Sequence, residues 1–397
     1  MSYPIIQLKK NREQSLKRFH PWVFSGAIEK VIVDEESHLE DGAAVWVQDY
    51  KGKIKGTGLF AEGSIAVRLL SFNKVLLDLD FFYQKLQLAY QLRQQLHLTE
   101  SNKTTAYRLI HGEGDDLGGL IIDIYGGHAV IQAHTSAMYM RLSIIGEALQ
   151  KVYGKNLKAI YNKSEESLQQ SIGNAENAYL SGKATLPVNI LENGHTFLID
   201  WEKGQKTAFF LDQRDNRALL AKYAAGKKVL NTFCYSGGFS VYALNAGAIE
   251  VQSVDSSSLA IEMLEQNIAF CQAKAKHKAI VSDSLKYINQ SDETFDIIVL
   301  DPPAYAKHPR AKHKAVQAYR RLNEAAIKKL NPGGLLFTFS CSQAIDRKLF
   351  EDTLRAAAIS AKQSVKVLHH LSQGADHPTN VFHPEGSYLK GLVLQLS

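Results

Sequence analysis

Cys341 ends an apolar run, LFTFSC (336–341), and Asp301 ends another, FDIIVLD (295–301). A thiol at such a place is chemically useful only as its thiolate, which can attack an electron-poor carbon. A carboxylate there can accept a hydrogen bond from an exocyclic amine. Pro302 and Pro303 follow Asp301 directly and stiffen the loop, and Tyr305 comes two residues later. Such a loop could form a rigid wall against a flat base. The plainer alternatives are a cysteine serving as a small hydrophobe and prolines serving as loop punctuation.

A third run, KKVLNTF (227–233), leads into NTFCYSGGFS. A strand followed by a glycine turn and a helix lets backbone approach a ligand and aims helix N–H groups at an anion. Only Gly237 and Gly238 stand in the turn, so the spacing is not that of a dinucleotide site and a pyrophosphate is disfavoured. The small carboxylate of S-adenosylmethionine is the better match. The candidate contacts are Asn231, Phe233, Tyr235, Ser236, Gly237 and Gly238. Asp255 follows about 20 positions after the turn, where an acid can hold ribose hydroxyls. Asp283, ending the next run, could reach an adenine amine. Either aspartate alone could be a helix N-cap.

These residues need a scaffold that brings strand ends together. In the last third, apolar runs alternate with helical segments: 227–233, 250–255, 278–283, 295–301, 334–341, 364–371 and 389–396. Alternation of this kind predicts a mostly parallel sheet covered on both faces, with ligands at the carboxyl ends of its strands. Residues 1–73 carry short β-rich runs, AAVWVQD (43–49) and IAVRLLS (65–71), with glycine turns such as KGKIKGTG, and predict a small barrel or sheet. Trp22 and Phe24, at alternate positions of HPWVF, read as a core-facing pair. Residues 81–98 read as a helix, and the runs around Gly126-Gly127 and Asn193-Gly194 read as hairpins. The expected organisation is 1–73, 74–182 (a small α+β module) and 183–397.

The chain has 397 residues, 45% of them hydrophobic, and a net charge of +6. No leader-like start and no run near the ~18 apolar residues of a membrane span is visible, so a cytoplasmic protein without membrane attachment is expected. Cys234, Cys271 and Cys341 are too few and scattered for a disulfide framework, and Cys271 reads as helical and structural. There is no CxxC pair, and although His308 and His313 lie in one segment no further ligand cluster supports them, so no metal site is expected. Basic clusters stand at Lys9, Lys10, Arg12, Lys17 and Arg18, and at Lys307, Arg310, Lys312, Lys314, Arg320 and Arg321. Such clusters suit a polyanion such as RNA, although each alone reads as a solvated face.

With these residues identified, the chain resembles the class I S-adenosylmethionine-dependent 23S rRNA methyltransferases that carry an N-terminal PUA domain, and among them the cytosine-C5 group. The resemblance runs through SLKRFHPWVFSGAI, RLIHGEGDDLGGLIIDIYG, QKTAFFLDQRDNR, NTFCYSGGFS, VLDPPAY, FTFSCS and HPEGSYLKG. It implies a Rossmann-like seven-stranded C-terminal domain and S-adenosylmethionine as cofactor. Its implied partner is 23S rRNA or a large-subunit assembly intermediate, and a homodimer is compatible with it. It also implies that Cys341 is the nucleophile and Asp301 the residue holding the base. Phe210, Asp212 and Arg214 would close over the cofactor. Pro302, Pro303, Tyr305, Lys307 and Arg310 would meet the substrate, with Arg12, Lys17 and Arg18 on phosphates. Two departures are Gly118 where a turn proline is expected and Ser236 where threonine is more usual. Ala304 stands where many RNA cytosine-C5 enzymes carry a second cysteine.

Two other readings compete. Methylation of a purine amino group would use the same cofactor and a loop like DPPAY, but would leave Cys341 without a task. A non-catalytic RNA-binding assembly factor would not need Asp255, Asp301 or Cys341.

Overall fold

The computed structural model describes residues 3–33, 39–169, 175–272, 275–306 and 309–397. Two compact units emerge. One comprises Met1–Leu191, Ile199–Leu211 and Ala375–Gly386, and the other Glu192–Leu198, Asp212–Gly374 and Ser387–Ser397.

The first unit opens with β1 (Ile5–Leu8), β2 (Trp22–Phe24), β3 (Ile28–Ile32), β4 (Ala44–Gln48), β5 (Ile54–Phe60) and β6 (Ile65–Ser71), in the order β2-β6-β5-β4-β1-β3. β1 runs parallel to β4, and its other neighbour, β3, is antiparallel. Ile6, Leu8, Val23, Val45, Val47, Val67 and Leu69 form its core. Two expectations fail here for local reasons. Within HPWVF the core residue is Val23, 2% exposed, while Phe24 is 47% exposed. Trp22 faces away from that core, and its indole N–H donates to Glu113 at 2.8 Å. In KGKIKGTG only Gly52 lies in the turn; Gly56 and Gly58 sit inside β5. A Cβ at Gly58 would lie 2.4 Å from the Arg68 carbonyl oxygen of β6, so glycine is required by close approach of backbone.

A five-stranded sheet follows, in the order β11-β10-β9-β8-β7: β7 (Ala106–His111), β8 (Leu120–Tyr125), β9 (His128–Ala133), β10 (Ala159–Asn162) and β11 (Ala178–Gly182). β8 and β9 form the expected hairpin, and both Gly126 (φ 58) and Gly127 (φ 89) hold the left-handed conformation its two-residue turn demands. Helix Leu79–Gln95, capped by Asp78, packs Phe82, Leu86 and Ala89 into a core shared with Leu109, Ile122, Ile131 and Ile145. Arg93 on this helix has no exposed surface. It forms a two-pronged bridge to Asp115 (2.5 and 2.8 Å) and donates to the carbonyls of Arg108 and Asp376, both at 2.7 Å.

The hairpin β12 (Val188–Glu192) and β13 (His195–Ile199) turns at Asn193 (φ 51) and Gly194 (φ 84), as expected. The second unit is built on β14 (Lys228–Thr232), β15 (Glu250–Asp255), β16 (Lys276–Val281), β17 (Phe295–Leu300), β18 (Leu330–Ser340), β19 (Val365–Leu371) and β20 (Lys390–Leu396). All seven apolar runs of the sequence are strands of one sheet, ordered β16-β15-β14-β17-β18-β20-β19. β20 alone is antiparallel, to both of its neighbours. Side chains alternate between two cores: Leu230, Ile298 and Leu336 point to one face, and Val229, Val299 and Phe337 to the other. The order reverses between β14 and β17, which sets the switch point at which sheets of this type bind ligands. Cys271 lies past the end of helix Ser258–Ile268, not inside a helix. Among the described residues no helix is long and apolar enough to cross a membrane.

Replacing Arg93 with methionine removes the two-pronged bridge to Asp115 and a donor from each of two carbonyls in a buried place. Urea unfolding should show a loss of about 3–5 kcal/mol, the range for breaking one side of a buried ion pair.

Candidate active site

The carboxyl ends of β14, β15, β17 and β18 supply the parts of one site in the second unit. After β14 the backbone is contorted: Phe233 (φ 54), Tyr235 (φ 46) and Gly237 (φ 84) all adopt left-handed conformations. Bulky residues rarely do so, and three in five residues indicate a loop held by its surroundings. The holders are identifiable. Phe233 N–H donates to the Ser284 hydroxyl, Cys234 N–H to the Val254 carbonyl, and Tyr235 N–H to Asp255 at 2.9 Å. Gly237 is the N-cap of helix Gly238–Asn245. A Cβ there would lie 2.1 Å from Leu264 Cδ1, and one at Gly238 would lie 2.9 Å from Arg217 Cδ.

Asp255 ends β15 and uses one oxygen on Tyr235 N–H and the other on Ser257 N–H. It shapes the β14 loop while keeping lone pairs for a ligand, since a carboxylate offers about four acceptor positions. Asp283 lies two residues beyond β16 and caps helix Ser284–Gln290 through the Lys286 N–H. Asn231 is 1% exposed, and its amide donates to the Ser240 hydroxyl, itself bonded to Ser253. It braces the strand against the helix from within.

The segment before β14 contributes more than was expected of it. Asp212 accepts the Tyr388 hydroxyl at 2.5 Å through one oxygen, while its other oxygen is buried without a hydrogen-bond partner. Gln213 donates to Asp301 at 3.0 Å and is fixed in turn by Asn216 at 2.6 Å. Arg214 and Arg217 are buried beside Glu192, which has no exposed surface; Arg217 grips it with two bonds of 2.8 and 2.7 Å, and Arg214 Nε lies 3.7 Å away. Phe210 belongs to the first unit, where Lys206 sits 5.4 Å above its ring.

Cys341 follows β18 and is half buried, its sulfur 3.8 Å from the Pro302 carbonyl oxygen. The cysteine therefore lies against the β17 loop, as the sequence suggested. Ser342 fastens the two: its hydroxyl accepts the Ala306 N–H at 3.2 Å and pairs with the Tyr319 hydroxyl at 3.0 Å. Pro302 is buried and Pro303 exposed; Tyr305 packs on Tyr319, ring centres 4.8 Å apart, and is half buried. Behind Cys341 stands Lys390, 6% exposed, which donates to the carbonyls of Ser342 (2.8 Å) and Tyr388 (2.6 Å). Burial pushes its ammonium down to about 8, against an opposing pull from nearby Cys341. Cys234, by contrast, is buried, and burial followed by Asp255 pushes its thiol far above the ordinary range. Burial pushes Cys271 up to about 11.

Gln213, Tyr388 and Lys390 were missed as site residues in the sequence. A signal existed for one of them: a lysine opening the apolar strand KGLVLQL must be solvated by something specific. Of the predicted basic residues, Arg12, Lys17 and Arg18 are exposed in the first unit, and Arg310 is exposed in the second. Lys307 lies outside the described residues.

The glycine turn, the helix N-terminus, the acids on successive strands and the unsatisfied oxygen of Asp212 fit a ligand carrying carboxylate, ammonium and hydroxyl groups. The chain's similarities agree. Residues 107–381 match the S-adenosylmethionine-dependent methyltransferase family, and residues 6–72 match a PUA-like domain. The chain is 38% identical to the ribosomal RNA large subunit methyltransferase I of Shewanella denitrificans, over 98% of this chain and 99% of that one. The protein of that name from Salmonella typhi is 36% identical over 99% and 98%. A Streptococcus mutans structure described as a SAM-dependent methyltransferase superposes with a TM-score of 0.83 at 26% identity, both chains fully covered. A methyltransferase structure in complex with SAH gives 0.84, again at 26% identity and full coverage.

Gly237→Ala should cost about 1–3 kcal/mol in urea unfolding, because the added methyl both overpacks against Leu264 and strains a positive φ.

This chain thus belongs to the S-adenosylmethionine-dependent methyltransferases with an N-terminal PUA-like domain, within the family of the ribosomal RNA large subunit methyltransferases I.

Proposed function

We propose that this protein methylates C5 of a cytosine in 23S rRNA through a covalent adduct of Cys341. The relatives' activity on large-subunit ribosomal RNA supports the substrate. The observation that carries the chemistry is Cys341 at a strand end beside the Pro302 carbonyl, with the buried ammonium of Lys390 behind it.

Cytosine C5 has no lone pair and is a weak nucleophile. Addition of the Cys341 thiolate to C6 forms an S–C6 bond and moves an electron pair towards C5. S-adenosylmethionine, when bound, would supply an electrophilic methyl carbon for that pair, the electrons of its methyl–sulfonium bond staying on the departing sulfur. A base then removes the C5 proton, the C5–C6 double bond re-forms, and the S–C6 bond breaks to return the thiolate. Lys390 stabilises negative charge on Cys341 before addition and after release, in a place where water screens little. Asp301, aligned by Gln213, holds the cytosine amino edge, and Pro302, Pro303 and Tyr305 limit the ring's position. Asp212 would take the cofactor's ammonium, Gly237 and Gly238 its carboxylate, and Asp255 and Asp283 its ribose and adenine. Phe233, Tyr235 and Ser236 shape that cradle, which Asn231 and Arg214 brace from beneath.

In this reading residues 1–73 bind RNA, 74–182 form the middle module and 183–397 carry the chemistry. Arg12, Lys17, Arg18, Lys307 and Arg310 meet phosphates, which position the RNA without reading its sequence. The target base must leave its stack to reach Cys341.

Nucleoside mass spectrometry on rRNA from cells lacking the gene, treated with purified protein and cofactor, tests this directly. Wild type should restore 5-methylcytosine, and Cys341→Ala should lower its formation by at least about 10³-fold while still binding cofactor. A methylated purine amine formed by both proteins would overturn the reading. A second test addresses the ammonium. Alkylation of Cys341 by iodoacetamide at pH 7 should slow about tenfold or more in Lys390→Met, with its pH profile moved upwards. An unchanged profile would remove Lys390 from the mechanism.

A further inference from the structure

Sequence spacing offered no metal-binding pattern, yet the fold of the first unit brings three ligand-type side chains together. His20 precedes β2, while His383 and Glu385 come from the segment Ala375–Gly386. One donor atom from each lies within 4.8 Å of the other two. His20 Nε2 is 3.5 Å from one Glu385 oxygen, and His383 Nε2 is 3.7 Å from the other.

His383 makes this more than a coincidence of polar residues. It is 4% exposed, and neither ring nitrogen has a hydrogen-bond partner. A neutral imidazole carries one N–H and one lone pair, and burying both unsatisfied is costly. The gap to Glu385 is too long for a hydrogen bond. It is close, however, to the spacing of two ligands on one ion: zinc binds nitrogen and oxygen at about 2.1 Å, so tetrahedral neighbours stand about 3.4 Å apart. The Trp22 ring closes one side of His383 with centres 4.4 Å apart. Glu113, held by the Trp22 indole at 2.8 Å, adds negative charge nearby, with Arg68 3.9 Å from it as the opposing cation. Glu385 is 49% exposed, which leaves an approach from solvent and room for a water as fourth ligand.

We propose that His20, His383 and Glu385 form a divalent transition-metal site, suited best to zinc. Two imidazoles and a carboxylate are a borderline-soft donor set that favours zinc, nickel or copper over magnesium or calcium. His20 Nδ1 accepts the Trp22 N–H at 3.3 Å, a long bond that orients Nε2 towards Glu385. Loading would shift the ring proton to Nδ1 and end that bond. A bound ion would fasten the segment Ala375–Gly386 to the start of β2 and so stabilise the first unit by mass action.

The test uses full-length protein without a polyhistidine tag, stripped with chelator and titrated calorimetrically with zinc. Wild type should bind one equivalent with a Kd of about 1 μM or tighter, and His383→Phe and Glu385→Gln should each bind at least about tenfold more weakly. Zinc should raise the wild-type melting temperature and change Trp22 fluorescence, chelator should reverse both, and neither variant should respond fully. Absence of one-equivalent binding in wild type overturns the proposal. Undiminished affinity in both variants does the same, by assigning the zinc to other histidines. Should His383→Phe fail to fold, Glu385→Gln at its half-exposed position decides alone.

Discussion

The architecture of the strand ends depends on a carboxylate with no exposed surface. Glu192, at the end of β12, is gripped by both prongs of Arg217 and by the Tyr242 hydroxyl at 3.0 Å. Arg217 lies on helix Arg214–Ala224 and Tyr242 on helix Gly238–Asn245, so one charge ties a hairpin to two helices. Taking both ions out of water is expensive, and the pair is tolerable because its bonds are short and well directed. Its position has a consequence for backbone. Arg217 lies against Gly238, where a side chain of any size would displace it. The glycine at this turn is therefore required by the ion pair beneath it.

The same economy recurs where β17 and β18 end. Ser342, Gln213 and Lys390 each bind two segments, so the Asp301 carboxylate and the Cys341 thiol are held without belonging to the same element. Burial alone would push a thiol towards its neutral form. It also disfavours the charge on Lys390, a shift that nearby Cys341 opposes. At Cys234, by contrast, Asp255 compounds the effect of burial and pushes the thiol up.

Much of this was legible in the chain. A parallel sheet buried on both faces needs near-continuous apolar strands, and those seven runs were visible because they are short and alternate with helical segments. The hairpins at Gly126-Gly127 and Asn193-Gly194 were legible because their turns need positive φ at both positions. Within strands the sequence was a weaker guide. Trp22 and Phe24 alternate as core residues would, yet Val23 fills the core, because period-two alternation does not state which face is inside. Gly56 and Gly58 resembled turn residues, since close backbone approach and turning demand the same residue.

What the sequence by itself determined is the set of strand ends: Asp255, Asp301, Cys341 and the glycine turn are each fixed by where an apolar run stops. What only the tertiary structure decided is which side chains from elsewhere complete them. Lys390 opens a strand far along the chain and reaches Cys341 because β20 pairs antiparallel with β18, matching Ser340 with Lys390. His20 and His383 meet because a C-terminal segment returns to the first unit. Such meetings arise from long-range pairing and packing, whose partners no local period or spacing records.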